Sequence, residues 1–301
     1  MNAALAGLRE LDPDVPGPPP VFGVRPDSAK AVGSRDLALR VVSAAVLAPL
    51  AIAAAYIGGW PFVAFWGVAA LAIWWEWVRL VRPGAQPLVF FSGAGTLVIE
   101  ALLAGTGRLG VAMLIALLGA LAAGAAARRN AVWLAGGVLY SSALLIALVY
   151  IRSDVESGFL AIIFLLAVVW ATDIFGYFIG RTIDGPKLAP SISPKKTWSG
   201  AIGGVLGAAA AAFAIALAIP DASLLAVVTL GLTLSVVAQA GDLFESQLKR
   251  HFAVKDAGSL IPGHGGVMDR LDGFLAAAVA LALVGLVRAG ADTSARGFVI
   301  W

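Results

Sequence analysis

The chain contains no cysteine, which excludes a disulfide framework, a thiolate zinc site and a cysteine nucleophile, and leaves the redox compartment open. Its two histidines are too few for a three-histidine metal site. Charge is scarce as well. Only 13% of residues are Asp, Glu, Lys or Arg, against about 25% in soluble globular domains, so an ordinary soluble domain is excluded. No short apolar run near the start is followed by a small-residue cleavage site before Leu37, and the first apolar run is therefore read as a retained span. No inverted internal repeat of the kind common in secondary transporters is visible.

What the chain has in abundance is apolar: 60% of its 301 residues, with 35 glycines and a mean hydropathy of +0.92. That amount suffices for roughly nine membrane spans of about 20 residues each. Apolar segments follow one another at about 38–58, 60–78, 87–106, 109–127, 131–151, 159–180, 199–219, 222–241 and 270–288. The expected fold is all-α, a polytopic integral membrane protein with about nine transmembrane helices. Segment 87–106 carries Ser92, Glu100 and glycines, features that also suit a partly re-entrant segment. Residues 1–36 differ from the rest: Pro13, Pro16, Pro18, Pro19, Pro20 and Pro26 lie among mixed charges with little periodicity. They read as a disordered cytoplasmic tail ahead of a membrane-embedded domain over 37–301. The tryptophans, among them Trp60, Trp74, Trp75, Trp77 and Trp198, fall mostly at span ends and read as interfacial anchors.

Laying out nine spans with the amino terminus inside puts seventeen of the 21 Lys and Arg on one side, leaving Arg108, Arg152, Arg288 and Arg296 on the other. By the positive-inside rule the long polar loops at about 181–198 and 242–269 face the cytoplasm. The protein is expected in the inner or plasma membrane as a multi-pass chain, with no nucleic acid among its partners.

Those two loops and their flanks hold nearly all the informative polar residues of the second half. The first stretch runs from Asp173 through Tyr177 and Arg181 to Ser193-Pro194-Lys195-Lys196-Thr197-Trp198-Ser199-Gly200. The second runs from Gly241-Asp242 to Leu271-Asp272. If the helix carrying Asp242 continues, Glu245, Ser246 and Lys249 follow at i+3, i+4 and i+7 on its face. Asp269 and Asp272 are three apart at the start of the last span, where a helix amino terminus also attracts phosphate. Between the Asp242–Lys249 stripe and Asp269, Ile261-Pro262-Gly263-His264-Gly265-Gly266 supplies a backbone that can approach phosphate oxygens closely.

Hard carboxylate oxygens beside Lys and Arg are what magnesium-assisted phosphoryl or nucleotidyl transfer requires. Lys195, Lys196, Lys249, Arg250, Lys255 and Arg270 are available for phosphate charge; each also fits ordinary positive-inside loop charge. An Asp near hydrocarbon costs about 2.5 to 3.5 kcal/mol on insertion scales, so Asp173 and Asp242 call for a cation, a polar cavity or a basic partner. Glu76, between Trp75 and Trp77, reads as an interfacial acid, Glu100 carries no motif, and His251 reads as solvated. His264 suits either a phosphate contact or a structural turn.

The run Ser246-Gln247-Leu248-Lys249-Arg250, four residues, Lys255-Asp256, then Pro262-Gly263-His264-Gly265-Gly266-Val267-Met268-Asp269-Arg270-Leu271-Asp272 resembles the signature of phosphatidate cytidylyltransferases, the CDP-diacylglycerol synthases. Ser193-Pro194-Lys195-Lys196-Thr197-Trp198 resembles a second block of that family. Two departures stand out: Ser199 where the family often has Glu, and Ile174, Phe175 and Gly176 in place of small residues before Tyr177. The resemblance implies transfer of a cytidylyl group from CTP to phosphatidate, giving CDP-diacylglycerol and pyrophosphate. It also implies a divalent cation, usually Mg2+, held by Asp242 and Asp269, a second metal such as K+, and a homodimer. The expected site then comprises Asp242, Asp269, Lys249 and Arg250 in catalysis. Asp173, Ser193, Lys195, Lys196, Thr197, Ser246, Lys255, Asp256, His264, Gly265, Gly266, Arg270 and Asp272 are expected to bind substrate. The rival readings are a CTP-using lipid kinase, a cytidylyltransferase for another lipid phosphate, and a transporter using Glu100 and Asp173.

Overall fold

The computed structural model describes residues 34–82, 87–127, 130–219, 222–261 and 265–289; the expected tail falls almost wholly outside them, as does His264. Nine helices are described: α1 (Ser34–Ile57), α2 (Gly59–Val81), α3 (Pro87–Gly105), α4 (Leu109–Ala126), α5 (Ala131–Arg152), α6 (Gly158–Thr182), α7 (Trp198–Leu217), α8 (Leu224–His251) and α9 (Met268–Ala289). Eight of these, α2 to α9, are long and apolar enough to cross a membrane, while α1 carries a shorter apolar segment, Val41–Ile57. The all-α polytopic architecture is the one the hydropathy implied.

α3 is one continuous helix rather than a broken, re-entrant one. Its polar groups find partners without interrupting the helix. Ser92 and Thr96 donate to Val89 O and Ser92 O on the same helix, and the buried Glu100 accepts 2.8 Å from Ser142 Oγ on α5.

Two glycine seams fix the helices that carry the polar residues. Along α6 and α7 the backbones meet directly: a Cβ on Gly200 would lie 2.8 Å from Gly176 O and 3.1 Å from Gly180 Cα. Along α8 and α9, a Cβ on Gly241 would lie 2.8 Å from Asp272 O, and one on Gly273 2.8 Å from Ala238 O. The second seam sets Asp242 and Asp272, each next to a seam glycine, side by side.

Trp74 and Trp77 are not interfacial anchors. Both rings are buried, and their indole N–H groups donate to Phe90 O (3.0 Å) and Trp133 O (2.8 Å). Gly93 and Gly137 leave room for them, since a Cβ at either position would overlap the indole. Trp60, Trp75 and Trp198 do remain exposed.

The helix ends sort by side. At one end Asn130 Nδ2 donates 2.9 Å to Val81 O and Trp133 packs 4.9 Å from the exposed ring of His251. At the other, Arg152 Nε donates 2.6 Å to Ala55 O, neutralising carbonyls at the end of α1. The first end also carries the only named β-strands among the described residues, an antiparallel hairpin of β1 (Lys187–Ala189) and β2 (Ser193–Thr197). Trp198 N donates 3.0 Å to Pro186 O and closes the hairpin onto α7, whose first turn Thr197 caps by accepting 3.1 Å from Gly200 N.

Candidate active site

The second half of α6, the hairpin, the start of α7 and the middle of α8 enclose a cleft of about 600 Å3. Its lining includes Asp173, Tyr177, Arg181, Asp184, Lys187, Lys195, Lys196, Thr197, Gln239 and Asp242. The α6–α7 seam shapes this cleft: where Gly176 and Gly180 meet Gly200 the two backbones touch, and the hairpin and its cap lie close on α6 beside α8. Lys196 on β2 then reaches across to Asp242 on α8 and binds its Oδ2, while Ser246 Oγ approaches Oδ1 at 3.4 Å. Asp173 lies within electrostatic reach of Asp242, Lys196 and Arg270, and Asp272 within reach of Asp242, Glu245 and Asp173.

Near the cleft mouth Arg181 Nη1 donates 3.0 Å to Tyr177 Oη, and Lys187 Nζ lies 3.0 Å from Asp184 Oδ1 with both side chains exposed. The hydrogen bond and charge of Lys187 hold the Asp184 carboxyl below its ordinary range. Lys195 is exposed and, among the described residues, has no carboxylate partner. The lining thus sets Arg181, Lys187, Lys195 and Lys196 against Asp173, Asp184 and Asp242, a basic excess that suits an anion.

A second cluster lies behind the cleft, where α8 turns into α9. Lys249 Nζ sits 2.6 Å from Asp269 Oδ1 and 2.5 Å from Glu245 Oε2, the latter an ion pair outside hydrogen-bond geometry. Asp269 Oδ2 also accepts from Ala257 N at 3.1 Å and Gly266 N at 3.0 Å. Val267 N and Met268 N donate to Glu76 of α2 at 3.0 and 2.8 Å. Gly265 N donates 3.2 Å to Ile261 O. The described amides from Gly265 to Met268 therefore all have acceptors inside the protein. The helix start that the sequence offered to phosphate is taken by carboxylates, which the same backbone dipoles attract.

The sequence-derived residues divide accordingly. Asp173, Lys195, Lys196, Thr197 and Asp242 line the cleft, and Ser246 adjoins it. Ser193 pairs with Ala189 in the hairpin. Arg250 donates to Ile192 O at 3.3 Å and Val254 O at 3.4 Å, tying α8 to the hairpin turn. Lys249, Asp269, Gly265 and Gly266 belong to the second cluster, Lys255 and Asp256 are exposed, and Asp272 accepts 2.6 Å from Gly273 N. Ser199 donates to Asp184 O and meets Thr197 Oγ1 at 2.9 Å, so in place of the family's frequent Glu it closes the hairpin base. Arg181, Lys187 and Gln239 also line the cleft, beyond the residues the sequence motifs single out. Gln239 lies within reach of pattern reasoning, three residues before Asp242 in a mostly apolar run; Glu76, which its neighbours mark as interfacial, is 1% exposed.

Among the described residues, no group of three or more His, Asp or Glu side chains is arranged to hold a metal ion. The donor chemistry of Asp242 and Asp269 nevertheless fits a hard divalent cation: both are carboxylates, and each already accepts a positive ammonium, Lys196 or Lys249.

A polytopic helical membrane protein with a basic, carboxylate-bearing cleft at one end of its bundle is the class these features define. Residues 38–287 match the Cytidylyltransferase family, and the chain belongs to that family. It is 39% identical over 269 residues to a phosphatidate cytidylyltransferase of Brucella suis biovar 1 (strain 1330), covering 87% of this chain and 98% of the relative. It is 40% identical over 263 residues to that of Brucella abortus biovar 1 (strain 9-941), covering 85% and 96%. Against the Bacillus subtilis (strain 168) protein of the same name it is 43% identical over 129 residues, 42% of this chain and 47% of that one.

Proposed function

We propose that the protein transfers the cytidylyl group of CTP to phosphatidate, giving CDP-diacylglycerol and pyrophosphate. The observation that carries this reading is the Lys196–Asp242 pair, which joins the two motif-bearing stretches within one basic cleft. The names of the full-length relatives support the choice of substrates.

A phosphatidate phosphate oxygen attacks the α-phosphorus of CTP, and the bond to the β-phosphate oxygen breaks in line as pyrophosphate leaves. Phosphate monoesters are nucleophilic near neutral pH, so positioning and charge neutralisation carry the catalysis. Lys195, Lys196 and Arg181 hold phosphate oxygens at the cleft, and Arg270 approaches from α9. Asp242 and Asp269 would hold Mg2+, which when bound neutralises triphosphate charge; a second ion such as K+ belongs to the same reading. The lipid keeps its chains in the bilayer with the headgroup at the cleft, and the cleft faces the cytoplasm, in keeping with seventeen of 21 basic residues on that side. The catalytic unit is 37–301, the segment 1–36 is outside it, and two copies form a homodimer.

The test is pyrophosphate release by detergent-purified protein given CTP, phosphatidate and Mg2+, with each omitted in turn. Release that needs all three, with recovery of a cytidylylated lipid, is expected. CDP formed from CTP together with a phosphorylated lipid alcohol would instead assign a kinase.

A further inference from the structure

Glu76 stands near the end of α2, 1% exposed, and its two carboxylate oxygens accept from successive amides, Val267 N at 3.0 Å and Met268 N at 2.8 Å, at the start of α9. The loop is shaped around it. A Cβ on Gly266 would lie 2.7 Å from Glu76 Oε2 and 2.8 Å from Asp269 Oδ2, and a Cβ on Gly258 would overlap the Glu76 carboxylate. Only a residue without a side chain at 266 lets both carboxylates sit on one turn of backbone. A helix cap by itself needs no more than a short local Ser, Thr, Asp or Asn. Here the cap comes from 191 residues away and requires burial of a carboxylate, which is unfavourable unless every oxygen is matched. What a local cap could not supply is a fixed position of α9 relative to α2.

We propose that Glu76 is a positioning residue for the transfer reaction: by clamping the first turn of α9 it sets Asp269 and, through Asp269, the ammonium of Lys249. This inference rests on the reaction proposed above. It makes the Gly265–Gly266 turn a seat for two internal carboxylates, and it ties the site to the amino-terminal half of the bundle, of which no described residue lines the cleft.

The experiment compares full-length wild type with Glu76→Ala, Glu76→Gln, Gly258→Ala and a control, Glu100→Gln, which alters another buried carboxylate remote from the cleft. Three quantities are read: kcat and KM for phosphatidate in pyrophosphate release, amide hydrogen exchange in peptides covering 265–272, and thermal unfolding in detergent. Glu76→Ala is expected to lower kcat tenfold or more with KM for phosphatidate within twofold, and to speed exchange at 265–272. Glu76→Gln, which keeps one acceptor oxygen, should lose less of both, and Gly258→Ala, which presses on the same carboxylate from the loop, should move both the same way. Glu100→Gln should lower thermal stability alone. Wild-type kcat in Glu76→Ala, or faster exchange there with kcat unchanged, overturns the proposal. Should Glu76→Ala not fold, Glu76→Gln and Gly258→Ala decide it by the same two readouts. If wild type releases no pyrophosphate from CTP, the reaction assignment fails, while the exchange comparison still reports whether Glu76 holds the loop.

Discussion

Lys196 and Asp242 are 46 positions apart in the chain and form one ion pair across the cleft, with about a third of each side chain exposed (29% and 34%). Each neutralises the other until a substrate competes. On the proposed reaction, a triphosphate in the cleft offers Lys196 stronger acceptors than one carboxylate, and one of the contacts between hairpin and α8 would be exchanged for one that holds substrate.

Removing the acid should therefore abolish turnover without loss of folding. Asp242→Asn is expected to insert normally and to lose about 10²-fold or more in kcat, the magnitude seen when a charge-stabilising contact is deleted. Lys196→Met should weaken the reaction comparably and also raise KM for CTP. Steady-state pyrophosphate release checks both, and near-normal turnover of Asp242→Asn would remove that residue from the site.

How far the sequence revealed this site depends on how far apart its parts lie along the chain. The stripe Asp242, Glu245, Ser246, Lys249 was legible because α8 runs unbroken to His251 and keeps the 3.6-residue period. The cation–carboxylate chemistry was legible from composition within two short stretches. The hairpin was not, since five residues containing Pro194 and two lysines carry no alternating apolar pattern. Nor was the burial of Trp74 and Trp77, which depends on glycines on other helices, Gly93 and Gly137, making room for the rings. Glu76 could not have been found from its neighbours, because its partners lie in a loop near the opposite end of the chain.

The α6–α7 seam should be intolerant of any side chain. Gly200→Ala places a methyl 2.8 Å from Gly176 O and 3.1 Å from Gly180 Cα, both backbone atoms that cannot rotate away. We expect a loss of about 1–3 kcal/mol from overpacking, read as a lower thermal midpoint in detergent. Activity should fall beyond the loss of folded protein, because Thr197 and the hairpin shift with the seam.

The indole of Trp77 offers a cleaner stability measurement away from the chemistry. Trp77→Phe keeps an aromatic ring but removes the N–H that Trp133 O accepts at 2.8 Å. The expected cost is about 0.5 to 1.5 kcal/mol, the net worth of one part-buried hydrogen bond, since Trp133 O also lies within helix α5, and it is read as a lower thermal midpoint in detergent.

Deleting residues up to about Ser34 should spare catalysis, since the sequence of that segment, proline-rich with mixed charges, carries no metal- or phosphate-binding pattern. Truncated and full-length proteins are expected to match in kcat within about twofold, and a large loss in the truncated protein would place part of the site in the tail.

The direct glycine contact between α6 and α7 also limits how the protein can breathe. Where Gly176 and Gly180 meet Gly200 there are no side chains to change rotamer, and further along Ile179 and Phe175 fill the space over Gly203 and Gly207, leaving few alternative packings of similar energy. These two helices behave as a single plate. On the proposed reaction, any widening of the cleft for a nucleotide is expected at the opposite wall, α8, where the Lys196–Asp242 ion pair is one tie beside the contacts of Ser235 with Thr172, Gln239 with Ala201 O and Arg250 with Ile192 O.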